Sequence, residues 1–255
     1  MRKPIILTLF VVVSLCFLGC EQTPPPQNLN RQANQASSKE AKSTAASGIW
    51  PYLAERQPDV VQPNLTAKNY VLIFDGSGSM DKSDCSDGRR KIDVAKEAVI
   101  EWYKTIPPEA NVGLVAFHGK WTTLDLTSKK DATNFISAIN SIRPDGNTPL
   151  ATAVKLSYGM LTKQAQRQLG YGEYVIVAVT DGENNDQRES LKEWVIHVLQ
   201  TPINIYTIGF CIKGSHSLNQ PGRTIYREAN NPQELRKGLQ EVLAESEKFD
   251  LNVFK

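Results

Sequence analysis

Histidine and cysteine are scarce in this chain, with three His and four Cys among 255 residues. His118, His197 and His216 are isolated from one another, no GxSxG nucleophile turn occurs, and no GxxxxGK[ST] phosphate loop is present. The parts of a hydrolytic triad or a nucleotide site are therefore missing, and the expectation is a protein without catalysis of its own. An excess of one charge sign is missing too. The 29 Lys and Arg against 27 Asp and Glu fall to 27 each once Arg2 and Lys3 are removed with a cleaved leader. A nucleic-acid partner would want a clustered basic face to displace counterions from phosphates, and none is in view. No internal repeat is found, and the longest apolar run, Ile5 to Leu18, is shorter than the roughly 20 residues a transmembrane helix needs.

That run is the first feature present. "MRKPIILTLFVVVSLCFLGC" has a basic start at Arg2 and Lys3, an apolar stretch and a small residue before a cysteine, the layout of a secretory signal. Its end, "FLGC", resembles the bacterial lipobox, with Phe17 where the pattern usually has Leu. The resemblance implies a signal peptide over 1–19, cleavage before Cys20 and lipidation of that cysteine. Glu21 rather than Asp after it implies outer-membrane sorting where the cell has such a membrane. Residues 20–48, rich in Pro, Gln, Asn, Ala and Ser with Leu29 the single large apolar side chain, read as a disordered tether. Such a tether averages roughly a few tens of ångströms from end to end. Residues 49–67 form an N-terminal extension in which Trp50, Tyr52 and Leu53 can dock on the domain after it.

From 68 to 247 the 40% apolar content of the chain concentrates into short runs alternating with segments of helical period, the pattern of a parallel sheet covered by helices. "YVLIF" and "YVIVAV" are apolar on both faces, as doubly covered strands must be. "NVGLVAF" and "INIYTIGF" are further strands, and "WTTLDLT" reads as an antiparallel edge strand hairpinned to its predecessor. Ile92, Ala95, Val99, Trp102 and Ile106 mark a helix stopped by Pro107-Pro108; Phe135, Ile136, Ile139 and Ile142 mark a second. A third is expected to open at "NTPLATAV" with Thr148 as N-cap and Pro149 first. Leu191, Trp194, Val195 and Val198 mark a fourth, and "NNPQEL" opens the last, capped by Asn231. Residues 248–255 are a short tail.

Three separated segments then fall at one kind of place. Asp75, Ser77 and Ser79 of "DGSGSM" follow the first strand, Thr148 precedes a helix, and Asp181 of "VTDGEN" ends the strand "YVIVAV". Loops at the carboxyl ends of adjacent parallel strands line one crevice, where ligands bind. All five side chains carry oxygen, which suits a hard divalent cation such as Mg2+. "DGSGS", the Thr of "GNTPL" and the Asp of "TDGEN" resemble the metal-ion-dependent adhesion site of von Willebrand factor A (VWA) domains, and the likeness spans the whole folded part. The resemblance implies a Rossmann-like α/β fold: a central, mostly parallel sheet with one antiparallel edge strand and helices on both faces. It further implies that Asp75, Ser77, Ser79, Thr148 and Asp181 hold Mg2+ or Mn2+, directly or through water. The partner expected is a protein presenting Asp or Glu, captured at an open coordination position. A second reading makes the domain the non-catalytic metal-site subunit of a larger envelope enzyme or assembly complex.

The family often places a helix before the sixth strand, but here "CIKGSHSLNQPGR" reads as a loop. Cys85 and Cys211 both fall in loops at the carboxyl edge of the sheet, and an extracytoplasmic compartment permits their oxidation, so a Cys85–Cys211 disulfide is expected. Asp81, Asp84 and Asp87 lack metal-ligand spacing and read as a solvated loop. Trp121 and Tyr171 read as edge aromatics.

Overall fold

The computed structural model describes residues 50–51, 60–212 and 216–246, all within one compact unit spanning Ser47–Lys255. The expected leader, lipidated Cys20 and tether, Tyr52 and Leu53 of the extension, and the tail lie outside the described residues.

Six strands form one sheet: β1 Lys68–Asp75, β2 Asn111–Phe117, β3 Trp121–Ser128, β4 Glu173–Thr180, β5 Ile203–Phe210 and β6 Ile225–Ala229, in the order β3-β2-β1-β4-β5-β6. All neighbours run parallel except β3, which pairs antiparallel with β2 through a tight turn at the sheet edge. The helices are α1 Lys91–Thr105, α2 Phe135–Ser141, α3 Leu150–Arg167, α4 Leu191–Val198 and α5 Pro232–Ser246, with a short 3-10 turn over Gly78–Asp81.

Strand β1 shows why the sheet must be covered twice. Tyr70, Leu72 and Phe74 point into a core shared with Val99 and Trp102 of α1, Phe135 of α2 and Leu239 of α5. The alternate residues, Val71 and Ile73, enter a second core with Val154 and Leu161 of α3 and Val195 of α4. At the free edge β3 alternates exposed and half-buried residues along its length, as an edge strand with one wet face does. Trp50 closes the second core from outside the sheet, meeting Tyr174 edge-on at 5.0 Å while its Nε1 donates to Thr162 Oγ1 at 3.4 Å.

The helix ends follow their capping chemistry. Asn231 Oδ1 accepts from Glu234 N and Glu234 Oε2 accepts from Asn230 N, a reciprocal cap on α5. Helix α3 departs from expectation. It starts at Leu150 with Pro149 as its N-cap residue, so Thr148 does not cap it. The orphan donors of its first turn are satisfied from another loop: Ala151 N donates to Asn184 Oδ1 (2.9 Å) and Thr152 N to Asp186 Oδ2 (3.1 Å). No helix occurs between β5 and β6 among the described residues, in line with the loop read there.

Candidate metal centre

The order of strands reverses between β1 and β4: from β1 the chain first builds outward to β3, then returns to add β4 on β1's other side. The carboxyl ends of these two strands therefore border the crevice of an open α/β sheet. Asp75 ends β1 and Thr180 ends β4, and the parallel register that pairs Phe74 with Val179 sets them side by side.

Asp75 is wholly buried. Its Oδ1 accepts from Ser77 N at 2.8 Å and its Oδ2 from Thr180 Oγ1 at 2.5 Å. Burial is the largest influence on this carboxyl group and pushes its pKa up to about 6; the charge of Asp181 adds to the rise, and the Thr180 and Ser77 hydrogen bonds oppose it.

The loop after Asp75 is fastened from both sides. Gly76 N donates to Phe117 O at the end of β2 (2.9 Å), Gly76 O accepts from Asp145 N (2.9 Å), and Gly78 N donates to Gly146 O (3.0 Å). At Gly76 a Cβ would stand 2.7 Å from Ile142 Cγ2 and 2.9 Å from His118 Cβ, whereas at Gly78 it would meet nothing nearer than 3.6 Å. Neither glycine has a positive φ. Of the two, only Gly76 is demanded, and by close approach rather than by backbone freedom.

From this loop a chain of oxygens crosses to β4. Ser77 Oγ and Ser79 Oγ lie 3.0 Å apart, and Ser79 Oγ donates to Asp181 Oδ1 at 2.6 Å. Thr148 is buried and is held by its backbone: its N–H donates to Asn185 Oδ1 (2.7 Å) and its carbonyl accepts from Asn185 N (3.1 Å). Its hydroxyl faces Gly182, where an added Cβ would lie 3.7 Å from Oγ1. The structure thus joins Asp75, Ser77, Ser79 and Asp181 through hydrogen bonds, Asp75 to Ser77 by its backbone N–H, and fixes Thr148 against the loop carrying Asp181. Every residue of the expected metal set lies at this one end of the sheet. The donors are all oxygen, two of them carboxylates, and so fit a hard divalent cation in chemistry.

Several residues that build the site were not singled out in the sequence. Thr180 braces Asp75 and also touches Gly182 O (3.1 Å). Asn184, Asn185 and Asp186 clamp the α3 entrance, and Glu183 accepts from Ser217 N and Ser217 Oγ, both at 2.9 Å. Lys91 donates to Asp181 Oδ2 at 2.9 Å. A disulfide joins Cys85 to Cys211 across 126 positions, with Cα atoms 5.9 Å apart, tying the loop before α1 to the end of β5 as expected. Asp81 pairs with Arg90 and Asp84 with Lys91, and both carboxylates are exposed. His118 is buried at the crevice rim with Nε2 2.9 Å from Thr122 Oγ1, its pKa lowered by burial and by Lys120. Trp121 and Tyr171 are exposed.

The von Willebrand factor type A domain family matches residues 69–246. This chain belongs to that family. The chain is 26% identical over 218 residues to the uncharacterized protein YwmD of Bacillus subtilis (strain 168), a match covering 78% of this chain and 90% of that protein. Among solved structures it resembles the pilus adhesin SpaC from Lactobacillus rhamnosus GG, with a TM-score of 0.59 and 14% identity over 73% of this chain and 31% of the adhesin. It also resembles the conserved hypothetical protein BatB from Bacteroides thetaiotaomicron, with a TM-score of 0.57 and 18% identity over 71% of this chain and all of BatB. At these identities the structural likeness concerns the fold.

Proposed function

We propose that this VWA domain is a cation-dependent protein-binding module, lipid-anchored through Cys20 in a bacterial cell envelope, that takes the Asp or Glu side chain of a partner protein. The observation that carries the reading is the convergence of Asp75, Ser77, Ser79 and Asp181, with Thr148 held alongside, at the strand ends where the sheet order reverses. Mg2+ or Mn2+ held there supplies a Lewis-acidic position for a carboxylate. The chain's own residues do the rest. Thr180 and the Ser77 N–H orient Asp75, Ser79 orients Asp181, and Asn185 keeps Thr148 in place. Likeness to a pilus adhesin supports binding rather than chemistry. The basic, apolar and Gly19-Cys20 order of the leader supports the anchor.

The test is a pull-down from envelope extract with residues 21–255 as bait, in Mg2+ and in EDTA, with Asp75→Ala alongside. A protein retained by the wild type in Mg2+ and by neither control is the expected result. Equal retention in all three refutes capture at this site.

A further inference from the structure

The centre holds a charge that the five-residue motif does not contain. Lys91 opens α1, yet its side chain is only 5% exposed and Nζ meets Asp181 Oδ2 at 2.9 Å, on a carboxylate that is itself fully buried. A cation in the first turn of a helix sits at the wrong end of the helix dipole, so helix stability gives no reason for a lysine there. Its other partner, Asp84 Oδ1 at 3.2 Å, is 57% exposed and is screened by water and salt. The buried charges at the centre are therefore two carboxylates, Asp75 and Asp181, and one ammonium. A divalent cation added to that set leaves one positive charge, and a single anionic group brings it to neutrality.

We propose that Lys91 is the specificity-determining cation of this site: it weakens the hold on the divalent metal and reserves the loaded centre for an anionic ligand, a carboxylate above all. The proposal rests on the cation reading of the site. With a neutral residue at this position Asp75 and Asp181 neutralise the metal alone, so metal binds more tightly and an incoming anion gains less.

The test titrates the full chain with Mn2+ by calorimetry, with and without acetate as the anionic probe. Lys91→Gln, which keeps a donor toward Asp181, is compared with Lys91→Met, which keeps the aliphatic stem, and with Lys91→Arg, which keeps the charge. Thermal unfolding in EDTA confirms that each variant folds. The Gln and Met variants are expected to bind Mn2+ about tenfold or more tightly, as loss of a unit charge a few ångströms from the ligands dictates. They are also expected to lose the tightening that acetate gives the wild type, while the Arg variant follows the wild type. Unchanged or weaker Mn2+ binding in both neutral variants overturns the role of Lys91 while leaving the cation reading intact. Absence from the wild type of any Mn2+ binding that Asp75→Ala removes overturns the cation reading, and this proposal with it.

Discussion

The buried Asp75 carboxyl makes a quantitative prediction for the metal-free domain. Its pKa rises from the ordinary 3.8 to about 6 on folding, with burial the main cause. A group whose pKa is raised in the folded state favours folding while protonated. That contribution is fully present below about pH 3.8 and is lost as pH climbs through about 6. A shift of this size corresponds to about 3 kcal/mol between the two ends of the window. Asp75→Asn removes the charge and keeps the shape: the carboxamide oxygen still accepts from Ser77 N, and its nitrogen donates to Thr180 Oγ1, whose proton then turns to Gly182 O. In EDTA at pH 7 the variant should therefore be more stable than the wild type by up to about 3 kcal/mol, roughly 6–12 °C in Tm for a domain of this size. The advantage should shrink to nothing near pH 4. Saturating Mg2+ should stabilise the wild type by about 2.7 kcal/mol at a hundredfold excess over Kd and leave the variant unmoved. Differential scanning calorimetry across pH 4 to 8, with EDTA or Mg2+, gives all four values. A variant destabilised in EDTA, or a difference independent of pH, refutes the electrostatic account of Asp75.

Two further outcomes concern the covalent chemistry. Replacing Cys85 and Cys211 together by Ser opens a crosslink spanning 126 positions, which should cost about 2–5 kcal/mol in guanidinium denaturation; alkylation of unreduced wild type should label neither cysteine. Cys20→Ser should abolish incorporation of labelled palmitate and shift the protein from the membrane to the soluble fraction, and an unchanged distribution would remove the lipid anchor.

The fold was largely legible because its signals are local. "YVLIF" and "YVIVAV" carry apolar side chains at every position, and only a strand covered on both faces buries all of them, as β1 and β4 do. The edge strand was legible from the tight turn that precedes it, and in the structure β3 alternates exposed and half-buried residues. The start of α3 was not legible. Thr148-Pro149 has the form of a local cap, but the caps that act, Asn184 and Asp186, come from more than thirty residues away. A long-range cap leaves no spacing for sequence periodicity to detect, and it releases the Thr148 side chain from capping.

The site divides in the same way. Asp75, Ser77 and Ser79 are close in sequence, and Thr148 and Asp181 each announce themselves at the end or start of an element. Lys91 has no such signal: in sequence it is one more basic residue in "GRRKID" after a charged loop. Its meaning arises only when α1 lays its first turn against the end of β4, 90 positions on, and brings the ammonium to Asp181 Oδ2. Asn185 is comparable, a polar residue in a polar loop until its amide and carbonyl groups bracket Thr148. The oxygen-bearing side chains that converge at this end of the sheet can thus be read from spacing, whereas the charge around them is set by contacts between elements. A VWA sequence with the same five residues and no lysine at this place should hold its metal more firmly and prefer anions less.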